Sequence, residues 1–185
     1  MPRHIDAKVE GRIIAAARKL WHAGGEEALS MRAIARAAGT NTPGVYRRFR
    51  DREDILRALV ASYQEQLFRE LEPSRSLPEL LERVMRFALG QPREYGLMTS
   101  GLLARVTKAR PALEMAIVKA TEWLGGSVKE NRSLVMAVWS MTHGLIMLRI
   151  SGTMNEEDFP IARAAYYKAV EFLVENREKF SEGMK

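Results

Sequence analysis

The stretch Ser30-Met31-Arg32-Ala33-Ile34-Ala35-Arg36-Ala37-Ala38-Gly39-Thr40-Asn41-Thr42-Pro43-Gly44-Val45-Tyr46-Arg47-Arg48-Phe49 decides how this chain folds. Met31, Ile34, Ala35 and Ala38 fall on one helical face, and Ser30 stands where an N-cap is needed. Gly39 follows at the point where a helix stops through a left-handed residue. Asn41 caps a second short helix, and Pro43 is tolerated in its first turn, whose N–H groups have no intrahelical partner. Val45, Tyr46 and Phe49 supply this helix's apolar contacts. Ala33, Ala35, Ala37 and Ala38 are small enough to let the two helices approach closely. Two short helices across a tight glycine-containing turn make a helix-turn-helix over 30–49, although an ordinary helical hairpin shares the spacing. In such a unit the first helix braces the second, whose leading residues reach base edges in the DNA major groove. The residue types suit that task. Thr42 can hydrogen-bond a base or phosphate, Pro43 can pack on a thymine methyl, and the planar forks of Arg47, Arg48, Arg50 and Arg52 match phosphates and guanine edges.

Upstream, Val9, Ile13, Ala16, Ala17, Leu20 and Trp21 recur at helical spacing and predict an amphipathic first helix that Ala23-Gly24-Gly25 ends. Downstream, a longer helix starts near Arg52, carries Ile55, Leu56, Leu59, Val60, Tyr63 and Leu67, and breaks at Glu72-Pro73-Ser74. Further helices are expected near 77–89, 92–105, 110–124, 132–150 and 156–180, punctuated by Pro78, Gly90-Gln91-Pro92, Pro111, Gly125-Gly126 and Gly152. No alternating run of β-branched residues is long enough for a strand. The fold class is therefore all-α: an N-terminal three-helix helix-turn-helix domain over 1–52, then a C-terminal antiparallel helical bundle over 53–185.

Charge follows the same division. The 185 residues carry a net +6, with 46% hydrophobic and 28% charged residues, ordinary for a globular chain. Within 1–50, Arg3, Lys8, Arg12, Arg18, Lys19, Arg32, Arg36, Arg47, Arg48 and Arg50 are opposed only by Asp6, Glu10, Glu26 and Glu27. The whole positive excess lies there, and 51–185 is neutral. Such asymmetry fits a polyanion-binding module joined to a neutral one, and also fits a solvated basic face. Cysteine is absent, which excludes disulfides and thiolate metal sites and fits a reducing cytoplasm. The histidines, His4, His22 and His143, are scattered, so no metal is expected. The N-terminus is polar, unlike a secretory signal. The longest nearly uncharged apolar run, Ser133–Leu148, is shorter than the roughly 18 residues a membrane span wants, so a buried helix is expected and no membrane.

Ile13-Ile14-Ala15-Ala16-Ala17-Arg18-Lys19-Leu20, Leu29-Ser30-Met31-Arg32-Ala33-Ile34-Ala35 and Ala38 through Phe49 together resemble the N-terminal domain of TetR-family (tetracycline-repressor-like) regulators. The likeness runs without gaps through the helix-turn-helix into Asp51-Arg52-Glu53-Asp54-Ile55-Leu56, about 50 of the 185 residues. Two positions depart from it. Trp21-His22 stands where a phenylalanine-centred pair is commoner, and Thr40 where an aliphatic residue is usual. The resemblance implies that Arg32 can touch a base, that Thr42, Pro43 and Gly44 face bases, and that Tyr46 contacts the backbone and neighbouring bases. It implies that Arg47 and Arg48 hold contact positions of variable identity and that Arg52 clamps a phosphate. Tyr46 can equally be a half-buried packing residue.

The C-terminal part is methionine-rich. Ala137-Val138-Trp139-Ser140-Met141-Thr142-His143-Gly144-Leu145-Ile146 resembles a Trp-x-x-x-His-Gly pattern in one large group of TetR-type C-terminal domains, and Pro92-Arg93-Glu94-Tyr95-Gly96-Leu97-Met98 resembles that group's preceding helix. Met85, Tyr95, Met98, Trp123, Trp139 and His143 are candidate ligand-binding residues, since methionine adapts to irregular ligands. Plain core packing accounts for the same residues, and His143 can be a hydrogen-bonded structural histidine. The family pattern implies a dimer through the last two helices, with Leu134, Val138, Met141, Leu145 and Leu148 on one and Ala165, Tyr166, Ala169, Phe172, Leu173 and Asn176 on the other.

Together these features describe a sequence-specific, DNA-binding transcriptional regulator, a cytoplasmic, nucleoid-associated homodimer. The family's habit makes it a repressor released from a palindromic double-stranded operator by a small apolar or amphipathic effector, with no cofactor and no catalytic residues. An enzyme on a helical bundle would need a paired Glu-x-x-His motif, a phosphate-binding glycine loop or a nucleophile–base pattern, and none is found. The rival reading is a helical protein- or membrane-surface-binding module without sequence-specific DNA recognition.

Overall fold

Caps and left-handed glycines divide the chain into helices close to the points the sequence marks. The computed structural model describes residues 7–100 and 111–181, which hold ten helices and no strand. They are α1 (Ala7–Gly24), α2 (Met31–Ala37), α3 (Thr42–Tyr46), α4 (Arg52–Leu71), α5 (Leu77–Gly90), α6 (Pro92–Thr99), α7 (Pro111–Leu124), α8 (Val128–Ile150), α9 (Asp158–Glu175) and α10 (Arg177–Ser181). The chain is all-α. Its described residues form two compact units, 7–65 with 93–100, and 66–92 with 111–181. Helix α4 runs from the first into the second. Helix α6 belongs to the first, although the helices before and after it belong to the second.

In the first unit α1 packs on α2, and α2 on α3. Helix α1 buries Ile13, Ala16, Ala17 and Trp21, α2 buries Ile34 and Ala35, and α3 buries Val45. Leu29, Ala38, Phe49, Ile55, Leu56 and Leu59 are buried in the same unit. Burying one such large side chain is worth about 1.5–3 kcal/mol, and this core holds α2 and α3, which are too short to persist alone.

In the second unit α8 is the hub, packed against α5, α7, α9 and α10. It buries Leu134, Val135, Val138, Leu145 and Ile146. Around them lie Leu80, Leu81 and Met85 of α5, Ile117 and Ala120 of α7, and Tyr166 and Val170 of α9. Polar ties fix the register of these helices. The Thr142 and Tyr166 hydroxyls are 2.6 Å apart, joining α8 to α9. Glu82 of α5 accepts from the Tyr167 hydroxyl at 2.7 Å and from the Arg163 guanidinium of α9. Burial raises the Glu82 carboxyl's pKa, but those two donors outweigh it and hold the group below the usual carboxylate range. Asn131, fully buried, donates to the carbonyls of Gly125 (2.9 Å) and Ser127 (3.0 Å) and so satisfies the turn between α7 and α8.

Three boundaries differ from the sequence expectation. Helix α8 begins at Val128 rather than 132, because Ser127 and Glu130 form a reciprocal capping box. The expected helix 156–180 is divided at Asn176, whose side chain donates to the Phe172 carbonyl at 2.9 Å. Arg177 then turns its guanidinium to the Leu124 carbonyl, 2.9 Å away, and so caps α7. Helix α6 ends at Thr99, whose hydroxyl donates back to the Tyr95 carbonyl at 2.8 Å. The rest of the expected helix 92–105, like Arg3, His4 and Asp6, lies outside the described residues.

Helix α8 is also longer than the apolar run on which the membrane reading turned. Within its 23 residues an 18-residue stretch has a mean hydropathy of 1.4, so the helix is long and apolar enough to cross a membrane, and 33% of that stretch is buried within the subunit. Its packing against four other helices is that of a core helix. Met136, Trp139 and Leu148 remain exposed on it, Leu148 on the side opposite Trp139.

Candidate nucleic-acid interface

The helix-turn-helix is set by two side-chain caps and one glycine. The Ser30 hydroxyl accepts from Ala33 N at 3.1 Å and opens α2. Gly39 takes φ +64°, the left-handed turn a side chain would resist. The Asn41 carboxamide oxygen then accepts from Gly44 N at 2.8 Å and opens α3. Each cap is worth roughly 1 kcal/mol, a large share of what holds a five-residue helix. The same residues fix which way α3 faces. Gly44, Val45 and Phe49 turn inward, while Pro43, Tyr46 and Arg47 are exposed and Thr42 is half-buried. Tyr46 is 53% exposed, which removes packing as its main role.

Not every candidate stands on that outer face. Gly44 is buried, and a Cβ built on it would lie 2.6 Å from Thr40 Oγ1 and 3.0 Å from Asn41 Oδ1. Gly44 therefore faces the turn, and Thr40, the residue that departs from the family's usual aliphatic, fills the space its side chain would need. Arg48 is half-buried and folds back along its own helix, its Nη1 donating to the Gly44 carbonyl at 3.2 Å. Arg52 donates to the Glu26 carbonyl and pairs with the Glu26 carboxylate at 3.2 Å. It braces the loop after α1 in this structure. Arg50 is tied to Asp54 at 3.2 Å, and their hydrogen bond raises the arginine's pKa and lowers the carboxyl's. Asp51 caps α4, accepting from Asp54 N at 2.8 Å. On α2, Arg32 is exposed, and so is Arg36 one turn later, which the sequence reading did not single out.

The candidate ligand-binding residues divide between the units. Tyr95 and Met98 are buried in the first, and Met85 is buried in the second. Trp123 is half-buried, with the Lys119 ammonium 5.5 Å from its ring centre. Trp139 is 38% exposed and stacks on His143, centroids 6.0 Å apart at 19°. Burial lowers the pKa of His143. The structure thus brings Trp139 and His143 together and turns Trp139 to the subunit's surface.

Of the residues expected on the dimer face, Leu148, Ala165 and Phe172 are exposed and four are buried. Leu134, Val138, Leu145 and Tyr166 are buried inside the subunit, since they form the core that α8 shares with its neighbours. The apolar residues left outside on these two helices are Met136, Trp139 and Leu148 of α8 with Ile161 and Phe172 of α9.

Two family models match the chain. The one described as bacterial regulatory proteins, tetR family, matches residues 13–59. The one described as tetracyclin repressor-like, C-terminal domain, matches residues 77–173, more than half of the chain. No curated protein matches. Among solved structures, a protein of unknown function from Rhodococcus sp. RHA1 is 19% identical with a TM-score of 0.71, covering 95% of this chain and 98% of that one. TetR from Acinetobacter baumannii AYE is 17% identical with a TM-score of 0.66, covering 93% and 97%. A variant of that protein in complex with minocycline is 20% identical with a TM-score of 0.65, covering 93% and 97%. At these identities the structures speak for the fold, and the two family models speak for the lineage. The chain belongs to the TetR family of transcriptional regulators, proteins that bind DNA and catalyse no reaction.

Proposed function

We propose that this chain is a homodimeric repressor that leaves a palindromic operator when a small apolar or amphipathic effector binds. The observation that carries the reading is the capped α2–turn–α3 unit, with Thr42, Pro43, Tyr46 and Arg47 on its outer face. An exposed tyrosine and arginine on a helix whose inner face is locked down suit base and phosphate contacts in a major groove. Arg32 and Arg36 add positive charge on α2. Arg48 and Arg52 serve by bracing the reading head, and Gly44 by letting α3 close on its turn.

The reading head occupies 1–52, and 53–185 carries effector binding and self-association. Met136, Trp139 and Leu148 of α8 and Ile161 and Phe172 of α9 are the surface a second copy covers, giving a contact of two helices per subunit. Twofold symmetry then presents two reading heads to two half-sites. The effector's chemistry follows from the methionines, tyrosine and tryptophan of the C-terminal candidates, which favour apolar ligands. Such a protein works in the cytoplasm, on the nucleoid.

Selection from a random duplex pool, followed by footprinting, tests the reading. Protection of one short palindrome, lost in Tyr46→Ala or Arg47→Ala, is the expected result. Equal binding to any duplex, with the same salt slope in the native chain and both variants, would refute sequence-specific regulation.

A further inference from the structure

Helix α1 carries a stripe of one sign of charge on its outer side. At about 100° per residue, Lys8, Arg12, Ala15 and Lys19 fall within an arc of about 60°. All four are exposed. Ile13, Ala16, Ala17 and Trp21, the buried residues of α1, are centred roughly 140° round the helix from that stripe. Helix α1 packs on α2, and α3 packs on α2 in turn. The stripe is therefore turned away from the side of the reading head that carries Tyr46 and Arg47.

Arginines on other exposed helix faces are paired. Arg57 meets Glu53 at 3.0 Å, Arg83 meets Glu79 at 2.8 Å and Arg132 meets Glu114 at 2.9 Å. Among the described residues no carboxylate pairs with Arg12 or Lys19. The stripe also costs stability in two ways. Lys8 and Arg12 are like charges four apart on one helix, and Lys8 stands in its first turn, where the backbone dipole disfavours a cation. Glu10, the acid of that turn, lies on the side of the helix opposite the stripe. A polyanion laid along the stripe offsets both costs.

We propose that Arg12 and Lys19, with Lys8, hold the phosphate backbone of a second segment of duplex DNA, so that each subunit has two DNA faces and the protein bridges duplexes. The stripe runs about 16 Å from Lys8 to Lys19, and a duplex strand presents a phosphate about every 3.4 Å of its axis. Basic side chains on either side of a small residue, Ala15, suit a backbone held for its charge and not for its sequence. A lipid surface fits less well, because no large apolar side chain of α1 is exposed to enter it. The segment is a second one because duplex DNA is stiff, with a persistence length of about 150 base pairs, and does not fold round one small domain from α3 to the far side of α1. This goes beyond the assignment of α3 to the operator and is tested apart from it.

In the experiment a duplex enriched from a random pool is fixed to beads and saturated with the full chain, and a fluorescent duplex of unrelated sequence is added. One variant combines Arg12→Gln with Lys19→Gln. The other combines Arg12→Lys with Lys19→Arg and keeps both charges. The native chain retains the second duplex. The glutamine variant retains about fivefold less or lower, with a salt slope shallower by about 1.8, and the charge-keeping variant matches the native chain. Affinity of the glutamine variant for the fixed duplex stays within about twofold of native, and its Tm does not fall, since the repulsion between Lys8 and Arg12 is gone. Equal retention by the glutamine variant would overturn the proposal. So would a matching loss of affinity for the fixed duplex, which puts the stripe on the same duplex as α3, or equal capture of anionic phospholipid vesicles by the native chain. Footprinting decides the functional reading separately: with no protected palindrome that reading fails, and retention of a second duplex on any fixed duplex still decides this one.

Discussion

Replacing Gly44 by alanine separates two roles for this residue. If Gly44 faced bases, a methyl group there would change which sequences bind and leave stability alone. The structure puts its Cβ 2.6 Å from Thr40 Oγ1 and 3.0 Å from Asn41 Oδ1, closer than such atoms come without something moving. Thr40 is β-branched and stiff at χ1, so moving its hydroxyl forces the side chain off its rotamer at about 0.5–1.5 kcal/mol. Displacing the Asn41 carboxamide weakens the cap of α3, worth about 1 kcal/mol. Alanine recovers roughly 1 kcal/mol of helix propensity. The net expectation is a loss of about 1 kcal/mol, or a fall in Tm of about 2–4 °C. Thr40→Ala removes the obstructing hydroxyl while the Thr40 N–H keeps its bond to the Ala35 carbonyl at 3.0 Å. A double-mutant cycle by urea unfolding, followed by circular dichroism, should therefore give a coupling of about 1 kcal/mol or more, with Gly44→Ala less harmful in the Thr40→Ala background. A Gly44→Ala chain as stable as the native one, with coupling below about 0.3 kcal/mol, would refute the steric argument.

Further outcomes test other parts of the molecule. Phe172→Glu places a charge on an exposed apolar face of α9 and should yield a monomer in sedimentation at micromolar concentration; an unchanged dimer would move the interface elsewhere. Asn131→Ala leaves the Gly125 and Ser127 carbonyls without their buried donor and should cost about 2 kcal/mol, read as a fall in Tm of about 4–8 °C. His143 has a folded pKa below its ordinary 6.5, so the unfolded chain binds its proton more readily. Stability should fall as the pH drops through about 6.5 toward 5, above the range where carboxylates titrate, and His143→Gln should flatten that part of the profile in thermal melts.

The reading head was legible because its determinants are local. Ser30, Gly39 and Asn41 act within three or four residues of themselves, so their positions alone place two helices and a turn. The contacts that Arg48 and Arg52 make within the chain were not legible, because an arginine beside a recognition helix reads the same whether or not it also meets, like Arg52, a carboxylate 26 residues away. Gly44 depends on where Thr40 puts one oxygen atom. The start of α8 was written in the sequence as Ser127-x-x-Glu130, but the apolar run starting at Ser133 drew the boundary too late. The contact of Arg93 and Glu94 with Ala23 and His22 of α1 joins residues some seventy positions apart, and no periodicity reports it. Helix α8 is apolar on nearly all sides, so the sequence could show that it needs several neighbours and not which residues meet which.

That last property has a consequence during synthesis. Helix α8 leaves the ribosome before α9, whose last residue follows some 25 positions later, which at about 5–20 residues per second leaves α8 partly bare for one to a few seconds. A nascent chain at that stage carries a helix with an 18-residue, largely apolar stretch that chaperones, membranes or another nascent copy could all receive. Two ribosomes on one message bring such copies close together, so pairing of subunits can begin before either chain is finished. The amount of active protein would then follow translation density as well as total expression.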